Sequence, residues 1–465
     1  MRHTPRFLPL VLGGLLLAPV APAVDAAAPP AWELPVAVKK LANGLTVVVS
    51  EDHSSPTFGL SVIYGVGFRL EPRGRTGFAH LFEHMMFQGT PVAPKGIFDR
   101  VIESGGGVNN GSTRFDYTNY IVTGPISILE PVLWLEADRM KHLDFSPANL
   151  KNQQEVVKEE VRVNVKNRPY GLFFWTDLGA LAFDKWENAH DGYGSFEDLD
   201  AAKLDDVASF HKTYYAPNNA VLAIAGDVEA AKVFAMAEKY FSALPAQPEP
   251  KRAETQEPLN TKERKQTQTD DFAQVPAIAI GWKMPPPESP DYLPLAVLGE
   301  LMVASGEPSR LYQSLVKGEE ILLEVQGGLH WPLGDYFTND SSTLFVVFAL
   351  YKPSTDGPTA VAKIQEQADR IASQGVEAAE LERTKTKMLA TFYSGLEPLV
   401  DRADYLGIRQ LLTGDAASIN RVPSQITAVS AEDLKRVAAQ YLTAPNRSWI
   451  DRQPKPQAAE SKPSR

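Results

Sequence analysis

The sequence predicts two like domains, each mixing strands with helices, and three observations carry that reading. At 465 residues with 44% hydrophobic content, the chain can bury ample core and is long for a single domain. Residues 246–270, near the middle, are polar and proline-rich and read as a linker. A stretch of the first half also recurs in the second. Leu199-Asp-Ala-Ala-Lys-Leu-Asp-Asp-Val207, followed by Tyr214, Pro217 and Asn218, matches Ile426-Thr-Ala-Val-Ser-Ala-Glu-Asp-Leu434, followed by Tyr441, Pro445 and Asn446. The offset is 227 residues (433 − 206), shifting to 228 at the proline, as duplication of one domain would leave it.

Taken in order, the chain opens with Arg2 and Arg6, an apolar stretch from Phe7 to Val20, then Ala21-Pro-Ala23 and Val24-Asp-Ala26. Residues 1–28 therefore read as a secretory signal whose apolar core is short for a membrane span, and the mature protein is expected to be periplasmic or secreted. A first domain over 29–245 begins with strand patterns at Leu45-Thr-Val-Val-Val49 and Phe58-Gly-Leu-Ser-Val-Ile-Tyr64. Gly105-Gly-Gly-Val-Asn-Asn-Gly-Ser-Thr113 leads into Tyr117-Thr-Asn-Tyr-Ile-Val-Thr123. Three glycines ahead of a strand are usually a turn, but a strand introduced this way can also present an open edge to an extended peptide.

Helices are expected from Pro131 to Lys141 and again from Ser146-Pro147, an N-cap followed by proline at the first helical position. The second must stop before Arg168-Pro169. A second domain over 271–451 carries strands at Ala277-Ile-Ala-Ile-Gly-Trp282 and Thr343-Leu-Phe-Val-Val-Phe-Ala-Leu350, and a long amphipathic helix from Val376 to Ser394. The tail, 452–465, is rich in Pro, Lys and Ser and is expected to be disordered.

A formal charge of −11 argues against a nucleic-acid partner. The absence of Cys removes disulfides and thiolate metal sites, so any zinc must use His and carboxylate.

The stretch with chemistry is Gly77-Phe-Ala-His-Leu-Phe-Glu-His-Met-Met-Phe-Gln-Gly-Thr90. With Thr76 as N-cap and Gly89 past the end it reads as a helix of about three turns. His80 and His84 then project from one face, as two imidazoles on one metal ion require. Glu83 borders that face and can act as general base on a metal-activated water without being a ligand. Two His at this spacing are more often a core or surface pair. With Glu at the one productive position and only eight His in the chain, the pattern arises by chance in roughly one chain in a hundred. A third, carboxylate ligand would complete an open catalytic zinc site, and Glu155, Glu159 and Glu160 all lie on the second helix.

Together these residues resemble the M16 zinc metallopeptidases, the pitrilysin, insulysin and mitochondrial-processing-peptidase group with the inverted H-x-x-E-H motif. Gly106-Gly-Val-Asn-Asn-Gly-Ser-Thr113, Trp134-Leu-Glu-Ala-Asp-Arg139, Tyr214-Tyr-Ala-Pro-Asn218 and Ser309-Arg-Leu-Tyr312 also look like family motifs. The resemblance implies an α+β fold of two similar domains, each a mostly antiparallel sheet covered by helices. It implies one Zn²⁺ per chain held by His80, His84 and, in the V-V-x-x-E stretch Val156-Val-Lys-Glu-Glu160, by Glu160 rather than Glu159. Glu83 is then the base of an exported endopeptidase acting on peptides or unfolded chains. Asn110, just before the expected edge strand, would contact the substrate backbone.

Two departures stand out. The family's second Glu two turns before the third ligand is Gln153 here, leaving Glu155 as the neighbouring candidate. The family's L-R-x-x-x-x-x-x-Y, whose Arg and Tyr bind substrate and stabilise the oxyanion, is Leu315-Val-Lys-Gly-Glu-Glu-Ile-Leu-Leu323, with Val316 and Leu323 in their places. The resemblance therefore implies a paralogous partner supplying Arg and Tyr in a heterodimer, otherwise a homodimer; the alternative to a partner's Arg and Tyr is a local residue of this chain, such as Arg310 or Tyr312. The alternative functions are a non-catalytic assembly subunit and a peptide-binding subunit.

Overall fold

In the computed structural model, residues 32–456 are described apart from residue 305. The expected signal and residues 457–465 of the expected tail lie outside the described residues. Strands β1 (Ala37–Lys40), β2 (Thr46–Glu51), β3 (Thr57–Tyr64), β4 (Val108–Thr113), β5 (Thr118–Pro125) and β6 (Ala220–Gly226) form one sheet in the order β1-β2-β6-β3-β5-β4. A second sheet is built from β7 (Arg264–Asp270), β8 (Ala277–Met284), β9 (Leu322–Leu329), β10 (Thr343–Tyr351) and β11 (Arg447–Pro454), ordered β7-β11-β8-β10-β9. Only β2–β6 and β7–β11 pair in parallel, and each joins the early strand of a half to its last. The second sheet is thus the first without β1, and the mostly antiparallel α+β expectation holds.

The repeat is visible in the helices too. Leu204–Tyr214 and Ala431–Tyr441 are related by 227 residues (431 − 204), as are the starts of β6 and β11 (447 − 220). Strands β6 and β8 are buried along their whole length, so they read as continuous apolar runs without the alternation that marks a one-sided strand.

The two halves exchange a helix. Phe173–Ala182, from the first half, packs on β8 and β11, where Phe173, Leu178 and Ala182 share a core with Ala279, Val346 and Ile450. Leu399–Thr413, from the second half, lies on β3, β6, β2 and β5, with Ala403 and Leu406 in one core with Ile63, Val221 and Ala223. Ser61 Oγ and Asn119 Nδ2 both donate to Asp404 on that helix, at 2.6 and 2.8 Å.

Three boundaries differ from expectation. The linker is shorter, because residues 264–270 are held as β7 by parallel pairing with β11. What remains of it is tied down: the Glu257 side chain, 1% exposed, accepts from the N–H groups of Asp184 and Lys185 and pairs with buried Lys283 at 2.7 Å. Arg452–Pro454, expected in the tail, belong to β11 for the same ladder reason. The open edge strand is β4, not the 117–123 run, which forms β5 between β3 and β4. Asn110 consequently sits on the edge strand itself.

Candidate metal centre

The helix carrying the motif spans Phe78–Met85. Its N-cap is Gly77, at φ 77°, and not Thr76. A side chain at Gly77 would be strained at that φ, and its Cβ would lie 2.5 Å from the Tyr193 carbonyl oxygen, so the chain enters the helix where only glycine fits. The free N–H groups of the first turn are satisfied from outside. Fully buried Glu71 accepts Gly77 N–H at 3.0 Å and Ala79 N–H at 2.8 Å, a carboxylate placed where the helix dipole favours it. Thr76 instead donates its N–H and hydroxyl to Asp198. His190 lies 3.3 Å from Glu71. Burial raises the Glu71 pKa, an effect the His190 contact and the two helix N–H groups partly offset.

Glu160 comes from the helix Pro147–Val161, whose N-cap Ser146 accepts Asn149 N–H as the sequence predicts. Directly after Glu160 the helix widens into a π turn over Arg162–Lys166, a distortion common beside functional sites. The two helices pack together and bring three ligand atoms to one point. His80 Nε2 and His84 Nε2 are 3.3 Å apart, and Glu160 Oε2 is 3.5 Å from the first and 3.4 Å from the second. Bonds of about 2.0–2.1 Å to a tetrahedral zinc place its ligands about 3.3–3.4 Å apart, so the triangle has the edge lengths that ion needs, with a fourth position open. The donor set, two imidazoles and a carboxylate, suits zinc.

The two histidines hold the Glu160 carboxyl far below its ordinary range. Burial pulls His80 down, but the hydrogen bond to Glu160 and the charges of Glu83, Glu160 and Glu71 outweigh it, and its pKa is raised.

Glu83 is beside the triangle but outside it. Its Oε2 accepts from Thr113 Oγ1 at 2.6 Å, and Gly111 of β4 faces its side chain, with room for no more than a close contact. The edge strand therefore passes directly over the Glu83 carboxylate. Arg114 N–H donates to Tyr117 O, and alternation from that pair leaves the backbone groups of Asn109, Gly111 and Thr113 turned away from β5. Asn110 is exposed, its Oδ1 accepting Gly111 N–H at 2.9 Å.

The other candidates are elsewhere. Glu159 is exposed and paired with Arg162 at 2.9 Å. Glu155 is held by Lys151 and Lys158, away from the histidines. Gln153 is buried and donates to Asn152, so its position brings no carboxylate. Val316 packs against the second-half core, and Leu323 is 44% exposed on β9. Arg310 is engaged with Glu380, and Tyr312 with Glu307. Sequence reasoning missed Glu71, Thr113, Arg114, Trp175 and Tyr193, all at or behind the site. The last four line a cavity of about 190 Å³ with His80, Glu83 and Glu160. For Thr113 and Arg114 the sequence signal was the glycine-rich run at 105–107, which marks β4 without naming its side-chain partners.

Comparison with known proteins gives a consistent result. Residues 46–172 match the insulinase (peptidase family M16) model and 201–388 the peptidase M16 inactive domain. The zinc protease PqqE of Helicobacter pylori is 28% identical over 86% of this chain and 89% of its own. The mitochondrial-processing peptidase β subunit of Lentinula edodes is 22% identical over 87% of each chain. A crystal structure of a protease from Helicobacter pylori superposes with a TM-score of 0.83 at 27% identity, covering 90% of this chain and all of that one. The periplasmic protease PqqL from Escherichia coli, at 18% identity and a TM-score of 0.71, shares the fold over 92% of this chain but 48% of its own length. The chain belongs to the M16 peptidase family, as a half-size member built of two sheets.

Proposed function

We propose that this chain is an exported zinc endopeptidase in which His80, His84 and Glu160 hold one Zn²⁺, Glu83 is the general base and Asn110 contacts the substrate backbone. The observation that carries the reading is the triangle of ligand atoms with edges of 3.3–3.5 Å beside an uncoordinated carboxylate. Zinc at that position supplies a polarised carbonyl and a water of lowered pKa. Glu83 takes the proton of the attacking water and passes it to the leaving amine nitrogen, as C–O forms and C–N breaks. Thr113, donating to Glu83 Oε2, leaves Oε1 for that proton. A peptide adding to the free edge of β4 would bond Gly111 and lie extended across the Glu83 carboxylate.

The oxyanion needs preorganised donors, and losing one typically costs about 10²–10³ in rate. Val316 and Leu323 offer none, and Arg310 and Tyr312 are engaged elsewhere. The chain therefore works as the zinc-bearing half of a hetero-oligomer whose paralogous partner contributes Arg and Tyr. That this chain spans about half of PqqL, described as periplasmic, supports both the pairing and the export.

The test has two arms. Glu83→Gln should retain zinc and fold while losing hydrolysis of an unstructured peptide by about 10²–10⁴-fold; near-normal turnover with zinc in place removes Glu83 from the role. Adding paralogous subunits from the same exported fraction should raise the wild-type rate. Full activity from the chain alone, unchanged by any partner, overturns the hetero-oligomer.

A further inference from the structure

Resting on the peptidase reading, we propose that Arg114 selects peptides carrying a carboxylate side chain on one side of the scissile bond, within about two to four residues of it. Arg114 immediately follows β4 and lines the cavity that contains His80, Glu83 and Glu160. Its guanidinium makes one long contact, 3.5 Å from Nη1 to the Thr113 carbonyl oxygen. Among the described residues no carboxylate lies within ion-pair distance of it, although most of the protein's other ion pairs hold an Arg or Lys against Asp or Glu. The nearby acid, Asp404, is already occupied by Ser61 and Asn119. A guanidinium with five donors and almost no acceptors is a poor structural element and a good receptor for a carboxylate.

Its surroundings strengthen the attraction. Phe68, Trp175, Tyr193 and Leu333 form the rest of that wall, and apolar walls lower the local dielectric around a charge pair. The register places the ligand. Gly111 and Thr113 turn toward Glu83, whereas Ser112 turns the other way, its hydroxyl bonding Asn119, and Arg114 shares the Ser112 side. At about 3.4 Å per residue, Arg114 is about 10 Å along the strand from Gly111. A peptide extended on β4 sends alternate side chains to that face, and one of them, a few residues from the bond held over Glu83, reaches the guanidinium. An acidic side chain there gains a charge-assisted contact that a neutral one lacks.

The experiment uses the full chain carrying Glu83→Gln, which holds peptide without cutting it, and a series of unstructured decapeptides with a single Glu scanned along the sequence, each paired with its Gln counterpart. One or two alternate positions of Glu should bind about ten- to a hundredfold tighter than Gln at low salt, with the preference shrinking as salt rises. Adding Arg114→Gln should reduce that preference to about twofold or less, with circular dichroism and zinc content unchanged. Equal binding of Glu and Gln peptides at every position, no binding of either, or a preference that survives Arg114→Gln overturns the proposal. The wild-type chain, with its partner, is assayed on the same peptides. Selective binding without cleavage sinks the peptidase reading and leaves Arg114 standing, whereas cleavage without selectivity does the reverse.

Discussion

The carboxylate of Glu71 accepts the N–H of Ala79 at 2.8 Å, one residue before His80. It anchors the first turn of the motif helix from a fully buried position and so fixes the direction from which His80 approaches the metal point. Partners that orient a ligand typically change metal affinity by 10–100-fold when removed, an order of magnitude taken from metalloenzymes generally. Glu71→Ala should weaken zinc binding by about that factor in a chelator competition, while Glu71→Gln, which keeps one acceptor oxygen, should recover part of it. Unchanged zinc affinity in both variants would show that the first turn is held without Glu71.

The third ligand is decided by side-chain direction. Glu160 points between His80 and His84, while its neighbour Glu159 is paired with Arg162 in solvent. Glu160→Gln should strip most of the zinc, and Glu159→Gln should leave it, as read by metal analysis of the purified variants. The reverse pattern would reassign the ligand.

Gly59 of β3 holds the exchanged helix against the first sheet. A Cβ there would lie 2.2 Å from Val400 N and 2.3 Å from Leu399 C, both backbone atoms that cannot step aside. Gly59→Ala should destabilise the protein by about 1–3 kcal/mol or more in denaturant unfolding. Gly395→Ala is the control, since its Cβ would meet nothing nearer than 3.9 Å; its effect should stay within about 0.5 kcal/mol. Equal effects would mean that the helix does not depend on close approach at β3.

Burial lowers the His211 pKa to about 4. The unfolded chain then binds its proton first, so the stability His211 contributes is complete above about pH 6.5 and is lost as the pH falls toward 4. Buried acids act with the opposite sign; Asp116, pushed up by burial to about 6, is one. Comparing wild type with His211→Gln isolates the histidine. With a chelator present throughout, the wild type should lose about 1.4 kcal/mol per pH unit relative to the variant between pH 6.5 and 4. Parallel pH profiles would place His211 in a solvated site.

What the sequence determined by itself was whatever repeats locally or at a fixed offset. The His80, Glu83 and His84 spacing needs only the 3.6-residue turn to bring both imidazoles to one face. Ser146-Pro147 starts its helix through contacts inside one turn, and the 227-residue repeat records duplication without any knowledge of packing. The tertiary structure alone decided the rest, because those decisions depend on groups far apart in the chain. The sequence left Glu155, Glu159 and Glu160 on one acidic helix, with the family pattern as its only preference among them, and the packing of two helices aimed one of the three at the histidines. It read the 117–123 run as the edge strand, but that run finds a partner on both sides once residues 108–113 pair with it, so the edge passes to β4. The helix exchange is illegible locally, since nothing within the apolar Phe173–Ala182 or the amphipathic Leu399–Thr413 says which of the two sheets will cover it. The glycines at 59 and 407, where a Cβ would collide with the other half, record the choice.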